Sequence, residues 1–353
     1  MRRFEQVLSI FAGGLSLAIA GLTLTTKTHA AQTATPTYHQ TAKIALSGEG
    51  GWDYLTVDSI AHRLYVTRGT HVMVIDTIKN AVVGDIGNTP GVHGVAIDHK
   101  SGRGFTSNGR ENTVTVFNLK TLKELARIPV GKNPDAILYD AASNQVFTFN
   151  GTSSDVTVID AATNKVVSTI PVGGKPEFCT TNEKGMVYCN VEDKNELVAI
   201  DARTRTVKHH WPLAPGEEPT GLAIDNTHHR LFAVCGNQKM EVVDAENGKV
   251  IASPEIGNGP DATVFDPGKE LAISSNGRDG TLTLVHESDK NTFKVVGTIP
   301  TQVGARTMAL DPKTHRIYLI TATFKKAEGD NAGGQPKRPT MEPGTAVILV
   351  FEP

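Results

Sequence analysis

The stretch "QVFTFNGTSSDVTVIDAATNKVVSTIPVGGKPE", residues 145–177, decides the fold of this chain. Its three apolar runs are rich in Val, Ile, Thr and Phe, alternate apolar with polar positions, and are separated by Asn, Gly, Asp and Lys turn residues. These are strands. Beyond the N-terminal apolar segment, no part of the chain sustains the periodicity of a helix.

The pattern recurs from end to end. The acid or amide that closes the first run of each unit stands at Asp58, Asp98, Asp140, Asn182, Asp225, Asp266 and Asp311, with gaps of 40, 42, 42, 43, 41 and 45 residues. Each unit continues with a second run (RLYVT, RGFTS, QVFTF, MVYCN, RLFAV, LAISS, RIYLI) and a third (HVMVID, TVTVFN, DVTVID, ELVAID, KMEVVD, TLTLVH, TAVILV). Most close on a fourth, such as ARIPVG or STIPVG. Four antiparallel strands in about 42 residues make one blade of a β-propeller, and repetition around an axis protects the sheet edges. Seven copies predict an all-β, seven-bladed propeller. The seventh unit ends at Pro353 after its third strand, while AKIALSG (42–48) aligns with the fourth strands. The N-terminal strand is therefore expected to complete the last blade, giving a single domain over residues 38–353.

The repeats "RLYVT…HVMVIDTIKNAVVGDI" and "QVFTFNGTSSDVTVIDAATNKVVSTIPVGGKPE" resemble those of the YVTN-repeat β-propellers, the YncE-like group of secreted bacterial proteins. The resemblance covers essentially all of the chain after its first 30 or so residues. It implies a propeller, and it leaves the function open.

The N-terminus carries Arg2 and Arg3, an apolar segment from Leu8 to Leu24, and small residues around Ala30 and Ala31. This reads as a signal peptide over residues 1–30, followed by a short disordered linker, 31–37; an uncleaved membrane anchor is the alternative. A periplasmic or secreted protein is expected, with no stable membrane insertion after cleavage. Without residues 1–30 the chain has 32 basic and 36 acidic residues, a mild excess that offers no field for nucleic acid. Cys179, Cys189 and Cys235 are too few for a disulfide scaffold and lack zinc-ligand spacing. Cys179 and Cys189 flank a turn, so a cross-strand disulfide depends on register.

In "NPDAILYD" (133–140) an acid stands between a proline and an apolar run, and "GPDATVFD" (259–266) and "KPEFCTTN" (175–182) repeat the arrangement. In a propeller the first strand of each blade lines the axis, and the loops preceding it and joining strands two and three open on one face. Two columns should therefore converge on one mouth. The first holds Asp53, His93, Asp135, Glu177, Thr220, Asp261 and Arg306; the second holds Arg68, Asn108, Asn150, Asn190, Cys235, Asn276 and Thr321. Carboxylates beside amide oxygens are hard ligands suited to a divalent cation, a sugar or a cationic group. Trp52 adds an aromatic wall. In the structural alternative, Arg306 neutralises Asp261 and Asp53, His93 is held protonated between Asp53 and Asp135, and the asparagines of the "NG" pairs are turn residues of positive φ.

The opposite face reads as structural. Asp58, Asp98, Asp225 and Asp311 stand five residues before Arg63, Arg103, Arg230 and Arg316, and each arginine is expected to pair back to its aspartate. His209, His210, His228 and His229 are expected in or beside turns, solvated and without ligand spacing. The insertion over residues 324–344, rich in Gly, Pro and Lys, is expected to be mobile and to project from the mouth.

No nucleophile–base pair, histidine metal set or phosphate loop is visible. The leading expectation is a non-enzymatic binding propeller that takes a small ligand or protein partner at its acidic mouth, with no cofactor beyond a divalent cation. The alternative is a lactonase-like hydrolase with an ion on the axis held by Asp135, Glu177, Asp261 and Asn150. That alternative rests on fold analogy. A quinone-dependent dehydrogenase is disfavoured, because those propellers have eight blades with recurring tryptophans and this chain has two tryptophans.

Overall fold

The computed structural model describes residues 37–48, 50–325 and 340–353. The expected signal segment and most of the blade-seven insertion fall outside the described residues. Seven four-stranded antiparallel sheets follow one another around an axis, and the only helical element described is a 3-10 turn, Glu192–Lys194. The first strands of neighbouring blades touch all the way round, including blade seven (Met308–Asp311) with blade one (Leu55–Asp58), so the ring is closed.

Closure uses both ends of the chain. Strand His39–Ala45 pairs antiparallel with Val347–Glu352, His39 opposite Glu352 and Ala45 opposite Val347. It is the fourth strand of blade seven, as the alignment of AKIALSG predicts. The first strands end at the expected aspartates in six blades; in blade four the strand stops at Thr181, one residue short of Asn182.

Each of the seven hydrophobic clusters draws on two adjacent blades; one joins Phe147, Phe149 and Val158 of blade three to Val187, Cys189 and Val198 of blade four. The core thus lies in the seams. A second strand faces a seam on each side, which is why Gln145–Asn150 is buried at every position. The fourth strand has only one such side, and Lys165–Pro171 is mostly exposed. Two-sided burial is what turns the inner strands into near-continuous apolar runs.

The opposite-face arginines bind differently from the expectation. The aspartates do accept turn N–H groups, as Asp58 does from Ile60 and Ala61 at 3.0 and 2.9 Å. The arginines do not pair back to them. Arg63 donates to the Leu119 carbonyl, Arg103 to Ala161 at 3.2 Å, Arg230 to Lys290 at 2.7 Å and Arg316 to Thr77 at 3.0 Å. Each acceptor lies in the next blade. A guanidinium has the length to cross a seam and several donors to offer there, so it serves as a staple between blades.

The asparagines are also structural. Asn276 Nδ2 donates to Thr281 and Thr283 Oγ1 at 3.1 and 2.9 Å, and its Oδ1 accepts from Ser274 at 2.9 Å. Asn108 repeats the arrangement with Thr113, Thr115 and Thr106, and Asn150 donates to Asp155 and Thr157. All three are fully buried, and none has positive φ. The chain crossing from the preceding blade lies against this latch: a Cβ on Gly131 would come 2.5 Å from Asn150 Nδ2, so the crossing requires glycine. Replacing Asn276 with Ala should cost roughly 1–3 kcal/mol in urea unfolding, because two threonine hydroxyls and one serine hydroxyl lose a buried partner. An Asn276→Ala protein of unchanged stability would return this residue to the ligand column.

Candidate functional site

Three of the four acids of the first column reach the axis through a local irregularity; Asp53 stands ahead of its strand, Leu55–Asp58, which pairs without a slip. The first strand of blade three, Pro134–Asp140, pairs Pro134 with Asn150, then slips register before Ile137. Blades two, four, five and six slip at the same place. Proline has no N–H to lose at the start of a strand, and the bulge re-aims the side chain that follows it. Asp135, Glu177 and Asp261 are therefore second residues of their strands, inside the pairing and not ahead of it.

Three cations are distributed among these acids. His93 Nδ1 lies 2.6 Å from Asp53 Oδ2 in a hydrogen bond, and 3.5 Å from Asp135 Oδ1. Lys175 Nζ lies 3.1 Å from Glu177 Oε2 and also binds Glu192, which the 3-10 turn presents. Arg306 Nε is 3.5 Å from Asp261 Oδ2. The neutralisation expected of His93 and Arg306 is present, except that no ion pair joins Arg306 to Asp53. Five carboxylates (Asp53, Asp135, Glu177, Glu192, Asp261) meet three cations, and Asp135 Oδ1 is buried with no hydrogen-bond partner among the described residues.

The electrostatics follow from that excess. Burial, reinforced by Asp53 and opposed by His93, pushes Asp135 up to about 6. Burial, reinforced by Asp135 and Glu192, pushes Glu177 up to about 8. Asp261 rises to about 6 through burial, with Arg306 working against it. Burial disfavours the charged form of His93, but the Asp53 hydrogen bond and the charges of Asp135, Asp53 and Glu177 outweigh it, and its pKa is raised.

Three contributors were absent from the expected set. Tyr54 follows Asp53 and is held well above the usual phenol range by burial and by the charges of Asp135, Glu177, Asp53 and Asp261. Its ring stands 5.0 Å from Phe178, and the two help to line an axial cavity of about 180 Å³ with Gly94, Val95, Ala136 and Cys179. Lys175 and Glu192 complete the ring. Glu192 lies in a strand two–three turn, so the face rule that selected the second column should also have selected it.

The second column does not join the mouth. Besides the three asparagines of the latches, Asn190 donates to the Thr220 and Gly221 carbonyls of the next blade at 2.8 and 3.2 Å. Arg68 is fully buried and donates to the Gly48 carbonyl at 3.3 Å. Cys235 is buried, and Thr321 binds the Val303 carbonyl at 3.0 Å. Trp52 packs into the seam between blades seven and one, its ring 6.2 Å from Phe324. Thr220 Oγ1 binds the Pro260 carbonyl at 3.3 Å and stitches two axial strands. The proposed ion set of Asp135, Glu177, Asp261 and Asn150 is not assembled, because Asn150 points into its own blade and Lys175 and Arg306 occupy two of the acids. Cys179 and Cys189 do stand opposite each other in register, and both are buried free thiols.

Residues 110–266 match the PQQ_2 family model, described as outer membrane protein assembly factor BamB. The match spans under half of the chain, and the model named is not that of the YVTN repeats. No curated protein matches the sequence. Among solved structures, a chain of Kuenenia stuttgartiensis hydrazine synthase is similar, with a TM-score of 0.68 and 15% identity over 78% of this chain and 94% of that one. A likeness at that identity shows the fold alone.

Two histidine expectations are corrected here. His209 and His210 belong to the fourth strand of blade four, Thr206–Pro212, where His209 stacks on Trp211 at 5.5 Å and His210 lies 3.1 Å from Glu196. His228 lies in the expected turn and is half-exposed, but it is not free of ligand-like neighbours: it contacts Asp225 and Glu287 at 2.9 and 3.1 Å. The strand pattern that located the blades gave Glu287 no column.

Proposed function

We propose that this protein is a periplasmic or secreted binding propeller of the YVTN type, whose axial mouth takes a cationic group, such as the side chain of a lysine or arginine on a partner protein. The observation that carries the reading is Asp135 Oδ1, buried with no hydrogen bond among the described residues and only the 3.5 Å contact to His93, within a ring of five carboxylates and three cations. A buried carboxylate oxygen without a donor is costly, and a guanidinium or ammonium entering the ring would supply one. Tyr54 and Phe178 help to line an axial cavity of about 180 Å³, a volume suited to one side chain and not to a threaded polymer. The signal-like N-terminus and the likeness of residues 110–266 to an outer membrane assembly factor support an envelope location.

Calorimetric titration with tetra-arginine and tetra-lysine peptides tests the reading. The peptides should bind at low salt, weaken as salt rises, and bind at least about tenfold more weakly to an Asp135→Asn, Glu177→Gln double variant, since a charge-assisted hydrogen bond is worth about 1.5–3 kcal/mol. Equal binding by the double variant would refute it. Gly109→Ala, whose added Cβ would lie 2.6 Å from both His93 Nε2 and Asn133 Oδ1, should disturb that ring and weaken peptide binding without touching a carboxylate.

A further inference from the structure

On the face away from the mouth, the aspartate closing the first strand of a blade is met by a donor from the next blade. Asp58 Oδ1 lies 3.0 Å from His99 Nε2, Asp140 accepts from Thr181 Oγ1 at 2.8 Å, Asp266 is 2.8 Å from His315 Nδ1, and Asp311 accepts from Ser59 Oγ at 2.6 Å. At the seam between blades five and six the chemistry reverses. The group that blade six turns towards Asp225 is Glu287, in strand Thr281–Asp289, and a carboxylate is an acceptor like its neighbour.

His228 lies between the two. Its Nδ1 is 2.9 Å from Asp225 Oδ2 and 3.1 Å from Glu287 Oε1, yet among the described residues it has no aligned hydrogen bond. Asp225 and Glu287 are 3% and 1% exposed, and neither Glu287 oxygen has a hydrogen-bond partner among the described residues. The nearby Arg230 is committed elsewhere, to the carbonyls of Lys290 and His229 and, at 3.5 Å, to Asp244. One half-exposed imidazole therefore faces two carboxylates removed from water, a deficit of positive charge that is expensive to bury.

We propose that Asp225, His228 and Glu287 bind one divalent transition-metal ion of the zinc type, which joins blades five and six where four other seams set a histidine or hydroxyl donor against the aspartate. The three donor atoms lie within 4.8 Å of one another. Tetrahedral ligands about 2.0–2.2 Å from a common ion stand about 3.3–3.6 Å apart, so the two contacts of 2.9 and 3.1 Å need to open by only a few tenths of an ångström to admit one. An imidazole nitrogen with two carboxylates suits zinc better than calcium, which takes six to eight oxygens. The exposed side of His228 provides an entry path and room for water as further ligand. The mouth triad Asp53, His93 and Asp135 differs in one decisive respect: there the imidazole nitrogen is already committed to a hydrogen bond with Asp53.

The test uses the full chain, stripped with a chelator and titrated calorimetrically with zinc, calcium or magnesium chloride. One equivalent of zinc should bind, with calcium and magnesium at least 100-fold weaker, and cobalt in its place should give a visible spectrum with a nitrogen ligand. Glu287→Gln and His228→Ala should each lose at least 100-fold in zinc affinity, while Asp135→Asn should keep the full equivalent. Glu287→Gln removes a buried charge and should melt higher than the metal-free parent, so loss of binding cannot be ascribed to loss of fold. Absence of stoichiometric zinc binding, its persistence in Glu287→Gln, or its loss in Asp135→Asn would each overturn the proposal.

Discussion

The thermal midpoint of the unliganded protein is expected to fall as pH rises from about 5 to about 8, and a Glu177→Gln variant should fall much less. The direction follows from proton counting. Asp135 and Asp261 are pushed up to about 6, Glu287 to about 7 and Glu177 to about 8, in each case chiefly by burial. Across this window the folded state holds protons that the unfolded chain, with carboxylates near 4, has already released, so deprotonation favours unfolding. His93 acts in the same direction: its raised pKa adds stability below the unfolded value, and that stability is lost as pH climbs through the folded one. Below about pH 4 the sign reverses, because Asp160, Asp201 and Asp311 have depressed values set largely by turn N–H and hydroxyl groups against the opposing effect of burial. A stability maximum near pH 5 results. At pH 8 Glu177→Gln should exceed the parent by about 1–3 kcal/mol, the scale of one to two units of differential protonation. Parallel pH curves for the two proteins would show that the ring is better solvated than its geometry indicates.

The same ring predicts the pH dependence of binding. A cation favours the ionised acids, so its entry displaces protons and its affinity should rise over the window in which the free protein loses stability. Tetra-arginine titrated in buffers of different ionisation enthalpy would register that proton release.

What could be read from the sequence was position along a strand, and what could not was direction across a seam. The repeat of the closing aspartates located the strands and blades, and the missing fourth strand of blade seven located the clasp. The column of Asn108, Asn150 and Asn276 was equally visible as a column, but both faces of a second strand are buried in a propeller. A polar residue there therefore has to find partners inside, and the threonines one turn later in the same blade supply them. The seam contacts lie beyond one repeat: Arg230 binds a carbonyl 60 residues on, and Gln145 one 57 residues on. Reading each unit against its own turn assigned the arginines to the wrong aspartates. His228 and Glu287 were missed for the same reason, since each belongs to a different blade and neither repeats.

Removing the N-terminal strand should have the largest effect of any change considered. A chain that begins at Gly50 lacks strand His39–Ala45, leaving the ladder edge of Val347–Glu352 unpaired and uncovering Ile348 and Val350, which pack with Ile44 and Leu46 in the seam between blades seven and one. Tyr38 is lost as well, with its hydroxyl contact to Asp266 and its place in the seam between blades six and seven. Burying Ile44, Leu46 and Tyr38 contributes about 1.5–3 kcal/mol each, so the loss approaches the whole stability of an ordinary domain. The truncated chain should be largely unfolded or aggregated by circular dichroism and sedimentation, through the exposed strand edge. Topology supplies the control. Because His39 stands opposite Glu352, a tight turn after Pro353 can lead straight back into residues 38–48, and a permuted chain beginning at Gly50 and ending with that segment keeps every pairing of the parent. The permutant should fold and melt close to the parent, since only the point of chain entry has moved. A truncated chain that melts like the parent would mean that the clasp is decorative; a permutant that fails to fold would mean that the N-terminal strand acts through its place in the sequence and not through the ladder it completes.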